Sequence, residues 1–279
     1  MACPQLLTVV TFFCYLEKMK KYQFFLFFLS FVVVPPANCL DLKGFQPLPP
    51  YGVFSTFSAD SLEKGKTGIA LATEKSLSPD FFRFTVLFAF GVFDNLEIGL
   101  TVPYVLNWRH EINGLEDIAF GIKYRFLDEG KYGPAAALLI FGSPPTGRQE
   151  FTTEGSYGGG FILSKKIGPV WGHANLFYSR PGTERFNDDI TFAGGIDFSA
   201  SHNANFLAEL YGKKSYSGSL DRLEPRFGYR IRMGESFYTT IGAGLDIKNR
   251  SPEFRLLLTL SYFLTPAEKK IKRIEEVDD

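Results

Sequence analysis

From residue 64 onward the chain keeps a rhythm, alternating apolar and polar residues in about a dozen runs of roughly ten residues each. A period of two sends successive side chains to opposite faces of a strand. The run Leu96-Glu97-Ile98-Gly99-Leu100-Thr101-Val102-Pro103-Tyr104 shows it most clearly. Its even positions are apolar, and its odd ones are charged, small or polar apart from Pro103. The next run repeats the pattern, with Ile118, Phe120, Ile122, Tyr124 and Phe126 set against Ala119, Gly121, Lys123 and Arg125. Strands of soluble sandwiches alternate too, but they are usually about five or six residues long. Runs of about nine to twelve residues suit a tilted strand that crosses a bilayer.

The runs fall at 65–74, 81–91, 96–104, 118–126, 132–141, 155–166, 169–180, 188–199, 204–214, 222–233, 236–248 and 252–264, twelve in all. Their connections alternate. Phe93-Asp94-Asn95, the stretch around Asp128-Glu129-Gly130, Lys166-Ile167-Gly168, Ser201-His202-Asn203 and Gly234-Glu235 are tight. Stretches 107–114, 142–154, 181–188, 215–222 and 249–252 are mostly longer, and rich in Gly, Pro, Ser and charge. In membrane barrels short turns lie on the periplasmic side and longer loops outside. The expected fold is an all-β, transmembrane, antiparallel up-and-down β-barrel of about 12 strands over 64–264, with both ends in the periplasm. The expected location is a Gram-negative type of outer membrane, with its lipids as partners. Phe82, Phe90, Tyr104, Phe126, Tyr178, Phe198, Phe237 and Tyr262 fall near strand ends on the lipid faces. Aromatic girdles sit there, at the membrane–water interface.

The start of the chain reads as an export signal over 1–39. Met19-Lys20-Lys21 gives a charged beginning, 22–34 an apolar stretch too short to span, and Ala37-Asn38-Cys39 a small-residue cleavage site. Translation is expected to start at Met19, the alternative being a true N-terminal extension. Pro36-Ala37-Asn38 departs from the Leu-Ala-Gly-like run of lipoprotein processing. Cys3, Cys14 and Cys39 all precede the cut, so the mature chain has no thiol for a disulfide, nucleophile or metal site. Removing 1–39 takes three Lys and one Glu from a balanced 30 and 30, leaving a net charge of −2. That gives no signal for nucleic acid, and one barrel accounts for the whole length.

Residues 40–63 are Pro-rich and aromatic, with Pro47, Pro49, Pro50, Phe45, Tyr51, Phe54 and Phe57. They read either as a periplasmic lead-in or as a plug folded into the barrel mouth. The last strand ends Leu260-Ser261-Tyr262-Phe263, which looks like the aromatic signal read by the barrel-assembly machinery. Such chains commonly stop there. This one continues over 265–279 with four basic and five acidic residues, expected to form a solvated periplasmic tail.

Projecting the alternation inward gives the candidate lumen. Its basic members are Arg83, Lys123, Arg125, Lys213, Arg226, Arg230, Arg232, Lys248 and Arg255; its acidic members are Glu97, Asp197, Glu209, Glu224 and Asp246. A slip of one residue would flip a strand wholesale. Nine against five predicts a basic interior. Read one way this is a salt-bridged wall, and read the other an anion-favouring pore centred on Arg226, Arg230 and Arg232. Catalysis finds little support. The outer-membrane phospholipase A family pairs a His with a Ser two residues away and an Asn that orients the His. His173-Ala174-Asn175 has no such Ser, and His173 reads as a polar lumen contact. His110 and His202 have no carboxylate arrangement around them. No metal spacing, P-loop or nucleotide fingerprint occurs. Gly158-Gly159-Gly160 lies in a strand, where glycines permit bends or close packing. No catalytic residue, metal or cofactor is expected.

Two stretches go beyond barrel grammar: Phe90-Gly91-Val92-Phe93-Asp94-Asn95-Leu96-Glu97-Ile98-Gly99-Leu100, and Gly114-Leu115-Glu116-Asp117-Ile118-Ala119-Phe120-Gly121-Ile122-Lys123-Tyr124-Arg125-Phe126. They resemble the outer-membrane transporter family named for the MetA pathway of phenol degradation. Its members show Gly-x-x-Asp-x-Leu-Glu-x-Gly, then Gly-x-x-Asp-x-x-x-Gly-x-Lys-Tyr-Arg. The match covers the second to fourth strands, and elsewhere only the layout agrees. The resemblance implies a channel-like protein, associated in some members with breakdown of aromatic compounds, and carries over no binding residues. Asp117 and Gly121 would set turn-to-strand geometry. Three functions follow: a passive transporter of a small aromatic or anionic solute, a scaffold barrel with a plugged lumen, or a lipid-acting enzyme.

Overall fold

The computed structural model describes residues 44–77, 80–108, 111–184, 186–216, 218, 220–248 and 254–265. The proposed signal, residues 40–43 and the tail beyond 265 lie outside them. Thirteen strands follow in order: β1 (Thr67–Leu77), β2 (Asp80–Phe93), β3 (Leu96–Trp108), β4 (Ile112–Leu115), β5 (Ala119–Leu127), β6 (Ala135–Ser143), β7 (Ser156–Ile167), β8 (Val170–Pro181), β9 (Asp189–Ser199), β10 (Ala204–Ser215), β11 (Leu220–Arg232), β12 (Phe237–Leu245) and β13 (Phe254–Leu264). Every pairing is antiparallel, and β1 bonds to both β2 and β13. The β2–β3 pairing closes the ring. β4 only folds back on the far end of β3, so the wall is a closed 12-stranded barrel. Closure leaves no unpaired strand edge.

Strand ends depart from the sequence reading in three places. β6 begins at Ala135, because the ammonium of Lys165 gathers the carbonyls of Gly130 and Gly133 and holds 128–134 as a turn. β12 stops at Leu245, where the Asp246 carboxylate takes the N–H groups of Leu223 and Lys248 and ends the ladder. The β3–β4 hairpin occupies a stretch expected to be loop. One end of the barrel carries the tight turns, at Asp94-Asn95, 128–134, 168–169, 200–203 and 233–236. The other carries loops 144–155 and 182–188, but also the short β1–β2 connection, since those strands pair as far as Leu77↔Asp80.

The two faces separate cleanly. In β3, Glu97, Thr101, Pro103 and Val105 are buried, while Ile98 and Tyr104 point out. Outward positions around the ring are large, apolar and exposed, including Val86, Ile98, Phe120, Ile140, Phe161, Leu176, Ile196, Phe227, Ile241 and Leu258. A soluble monomer rarely exposes an apolar patch beyond a few hundred Å². Here apolar residues face outward on every wall strand. The inside is filled. Its largest fully buried side chains include Arg83, Arg226, Arg255 and Lys123 alongside Phe81, Phe151 and Leu62.

Candidate functional site in the barrel lumen

The lumen is occupied by the chain itself. Residues 44–66 run inside the ring before joining β1, with Leu48, Val53, Thr56, Phe57, Ser58, Ala59 and Leu62 all buried. The segment makes a turn in which Val53 N–H donates to Thr56 O (2.8 Å) and Ser58 N–H to Tyr51 O (3.1 Å). It has no sheet ladder, so side chains of the wall satisfy its backbone, as buried amides require. Leu62 N–H donates to Glu97 Oε2 (2.9 Å), Ala59 N–H to Ser164 Oγ (2.8 Å) and Phe57 N–H to Asn175 Oδ1 (2.6 Å). Ser55 and Thr56 N–H both donate to Glu209 Oε2 (2.7 and 2.8 Å), and Gln46 N–H to Thr101 Oγ1 (3.1 Å). In return, Arg230 donates to Gly52 O and Asn175 Nδ2 to Phe57 O (2.9 Å). Apolar contacts complete the seat. Phe57 stacks on Phe45 and meets Phe177 edge-on, and Leu48 packs with Leu87, Ala89 and Phe263. Burial, with Glu63 and Glu97 nearby, raises the Tyr51 phenol above its ordinary pKa.

The charged candidates are ion-paired. Arg83 contacts Glu116 (2.6 Å) and Glu74 (3.2 Å), and Arg255 contacts Glu74 (2.6 Å). Arg226 lies between Glu209 (2.9 Å) and Glu224 (2.7 Å), over the Tyr211 ring. Arg230 meets Asp197 (2.6 Å), Lys123 meets Glu97 (3.2 Å), and Arg222 lies between Glu224 (3.4 Å) and Asp246 (3.5 Å). Arg125 reaches Asp60 of the inserted segment (3.4 Å) and Asp128 (2.9 Å), and Lys213 reaches Asp189 (2.9 Å). Arg125 and Lys213 are half-buried, and two candidates are exposed. Arg232 is solvent-exposed at the strand end, donating to Gly234 O (3.0 Å), and Lys248 lies past the end of β12. Arg226, Arg230 and Arg232 therefore do not form a free basic row.

The expected basic interior is corrected by the same contacts. Among the described residues, the buried acids are Glu74, Glu97, Glu116, Asp117, Asp197, Glu209, Glu224 and Asp246. The buried bases are Arg83, Lys123, Arg222, Arg226, Arg230 and Arg255. Eight against six, or nine against eight once the half-buried Asp189, Arg125 and Lys213 are added, removes the expected basic excess. The sequence reading missed Glu74, Glu116 and Asp117 because they stand at the edges of alternating runs, where the period gives no inward direction.

The two motifs now have a physical role. A Cβ on Gly91 would strike the carbonyls of Leu62 and Glu63, and one on Gly99 or Gly121 would strike the ring of Phe45. Asp94 accepts from Lys64 N–H (2.9 Å), Glu97 from Leu62 N–H, and Arg125 pairs with Asp60. These positions seat the inserted segment. Asp117 seats a second element, loop 144–155. Its carboxylate accepts Gly147 N–H (2.9 Å), Thr153 N–H (2.9 Å) and the hydroxyls of Thr152 (2.8 Å) and Thr153 (3.0 Å). The loop then buries Phe151 against Phe81, Val105 and Trp108. At its exposed tip a hydrogen bond from Arg148 keeps the Glu150 carboxyl below its usual range.

A serine does meet His173, from the neighbouring strand. Ser164 Oγ lies 2.8 Å from His173 Nδ1. Its oxygen also accepts Ala59 N–H, and the ring rests against Trp171. The Ser164 hydroxyl thus bridges the inserted segment and the His173 ring. Among the described residues no group of three His, Cys, Asp or Glu could hold a metal. Two cavities interrupt the packing. One, of 60 Å³, lies between the segment and the β1–β2–β12–β13 wall, beside Glu74, Thr85, Arg226 and Thr240. The other, of 80 Å³, lies at the turn end beside Tyr51, Lys66 and Tyr238.

This architecture is a closed barrel with a polar, chain-filled lumen. Solved structures with a similar fold include the KdgM porin in complex with disordered oligogalacturonate, with TM-score 0.54 and 12% identity, covering 70% of this chain and 98% of that one. The NanC porin gives TM-score 0.57 at 8% identity over 70% and 98%. An outer membrane channel from Pseudomonas putida F1 gives 0.53 at 11% over 74% and 98%. At these identities the likeness is one of fold. No protein-family model matches the chain, and no curated protein matches it.

Proposed function

We propose that the protein is an outer-membrane channel for a small solute, held shut by residues 44–66. The observation that carries this reading is the pairing of an apolar outer surface around the whole ring with an inner surface of ion pairs and hydrogen-bonding groups. A bilayer satisfies the first and a water-lined path the second. Export through a signal ending at Cys39, assembly by the barrel machinery and a periplasmic turn end belong to the same reading. The fold shared with porins supports it, and so does the motif resemblance, which makes an aromatic compound one candidate solute.

In the occluded form the space left beside the segment is a 60 Å³ cavity, room for roughly a few waters. An aromatic ring or a sugar passes only if the segment shifts. That observation also favours a second reading, a plugged scaffold. One experiment separates them. Ala59 N–H donates to Ser164 Oγ (2.8 Å), so the segment and the wall are direct neighbours there, and Ala59→Cys with Ser164→Cys is the cross-link to attempt in a mature chain with no other thiol. The oxidised protein should carry no current in a planar bilayer, and reductant should restore it. Reduced and wild-type proteins that never conduct would leave the scaffold.

A further inference from the structure

Residues 46–64 lie on the wall as a ligand would, and their contacts are lopsided. Among the described residues the wall accepts from seven main-chain N–H groups of the segment, at Gln46, Ser55, Thr56, Phe57, Ala59, Leu62 and Lys64. It donates to three main-chain carbonyls, at Pro50, Gly52 and Phe57. The wall is therefore a track of acceptors. The densest point is Glu209. Its Oε1 is held by Arg226, and its Oε2 takes two N–H groups and the Thr56 hydroxyl (2.8 Å). Arg226 is shared with Glu224, so one arginine serves two carboxylates. Glu224 is fully buried and keeps its Oε2 without a hydrogen-bond donor. Glu224 also lies 3.4 Å from Arg222, which it shares with Asp246, and 3.9 Å from Arg255, which it shares with Glu74, so with Glu209 this cluster sets four carboxylates against Arg222, Arg226 and Arg255.

We infer that, once the segment withdraws, Glu209 and Glu97 become the selectivity groups of the path, which then prefers small solutes carrying positive charge and N–H donors. The inference rests on the channel reading. Two physical facts carry it. Fixed charge lining a narrow path sets the sign of what enters. A buried carboxylate stripped of its donors needs replacements, and an ammonium supplies both donor and charge. Withdrawal removes seven N–H donors from the wall; Glu209 keeps only Arg226 and Glu97 keeps only Lys123 as charged partners, while Arg125 loses Asp60 and keeps Asp128 alone.

The test is the sign of the reversal potential of the wild-type protein in a potassium chloride gradient, repeated with Glu209→Gln and Glu97→Gln. Heat-modifiable gel migration verifies that each variant is folded. The inference expects potassium preference in wild type, a shift of the reversal potential toward zero in each folded variant, and block of the current by spermidine but not by citrate. Chloride preference, or folded variants with an unmoved reversal potential, would overturn it while leaving the channel intact. The wild-type sign decides the matter even if both variants misfold. A protein that never conducts removes the channel reading and this inference together.

Discussion

A methyl group added at Gly121 would enter the space of the Phe45 ring, which lies across Gly99 and Gly121 on adjacent strands. The ring in turn stacks on Phe57 at 5.5 Å, so displacing it disturbs the middle of the inserted segment. Gly121→Ala should therefore cost about 1–3 kcal/mol through overpacking. Phe45→Leu, which thins the contact, should recover part of that loss. A double-mutant cycle in a bilayer-refolding titration checks it, and strict additivity would show that the two residues do not press on one another. Neighbouring positions on β3 give a second contrast. Leu100 points outward, and Leu100→Arg should cost on the order of 2–4 kcal/mol by placing a charge on the lipid face. Thr101 points inward, but it is fully buried and its hydroxyl accepts Gln46 N–H. A reading from alternation alone makes Thr101→Arg mild, whereas the packed lumen makes it costly too. Thr101→Val isolates the hydrogen bond and should cost about 1 kcal/mol in the same titration.

At the scale of elements, loop 144–155 depends on one carboxylate. Asp117 gathers two backbone N–H groups and two threonine hydroxyls, and Phe151 follows into the cluster of Phe81, Val105 and Trp108. Asp117→Ala should release the loop while the wall stays closed, because the wall pairings of β3 and β5 do not use that side chain. Trypsin should then cut after Arg148 much faster in the folded protein, with the barrel still heat-modifiable. Equal cutting rates would mean the loop is held without Asp117, by Phe151 and by the bonds of Thr146 and Arg148 to Ile118, Leu115 and Asn113. The strands themselves were legible because one face is buried and the other is not, which enforces the period of two along β3, β5 and β8. Their ends were not, since Asp246 and Lys165 stop β12 and the β5–β6 turn through contacts distant in sequence. The filling of the lumen was half-legible. Residues 40–63 stood out by composition, but a segment without a ladder has no period from which to read its partners. The motif glycines carried that information in an unreadable form, because their role is to leave room for a ring about fifty to eighty residues earlier in the chain.

For the whole molecule, polarity is arranged inversely to that of a soluble domain. Arginines and carboxylates fill the interior, where each charge needs its partner, and phenylalanines and leucines cover the outside. Such a body has one stable solvent arrangement, apolar lipid around the band and water at the two ends. Which end faces out follows from the connections. Tight turns at Asp94-Asn95 and 200–203 crowd one end, while loops 144–155 and 182–188 extend the other. The segment 44–66 joins β1 at the turn end, where Gly65 N–H donates to Gly91 O (2.7 Å) and Gly91 N–H to Lys66 O (3.0 Å). On the proposed channel reading, a chain delivered from the periplasm and carrying its own plug would leave the turn end there. Single cysteines placed in 142–154 and 181–188 should therefore react with an impermeant maleimide on intact cells, whereas Asn95→Cys and Ser201→Cys should react only after the cells are opened. The even strand count couples these outcomes, so all four positions must agree. Labelling at Asn95 on intact cells with protection at Thr146 would invert the molecule, putting the mouth filled by loop 144–155 in the periplasm and the entrance of the segment outside.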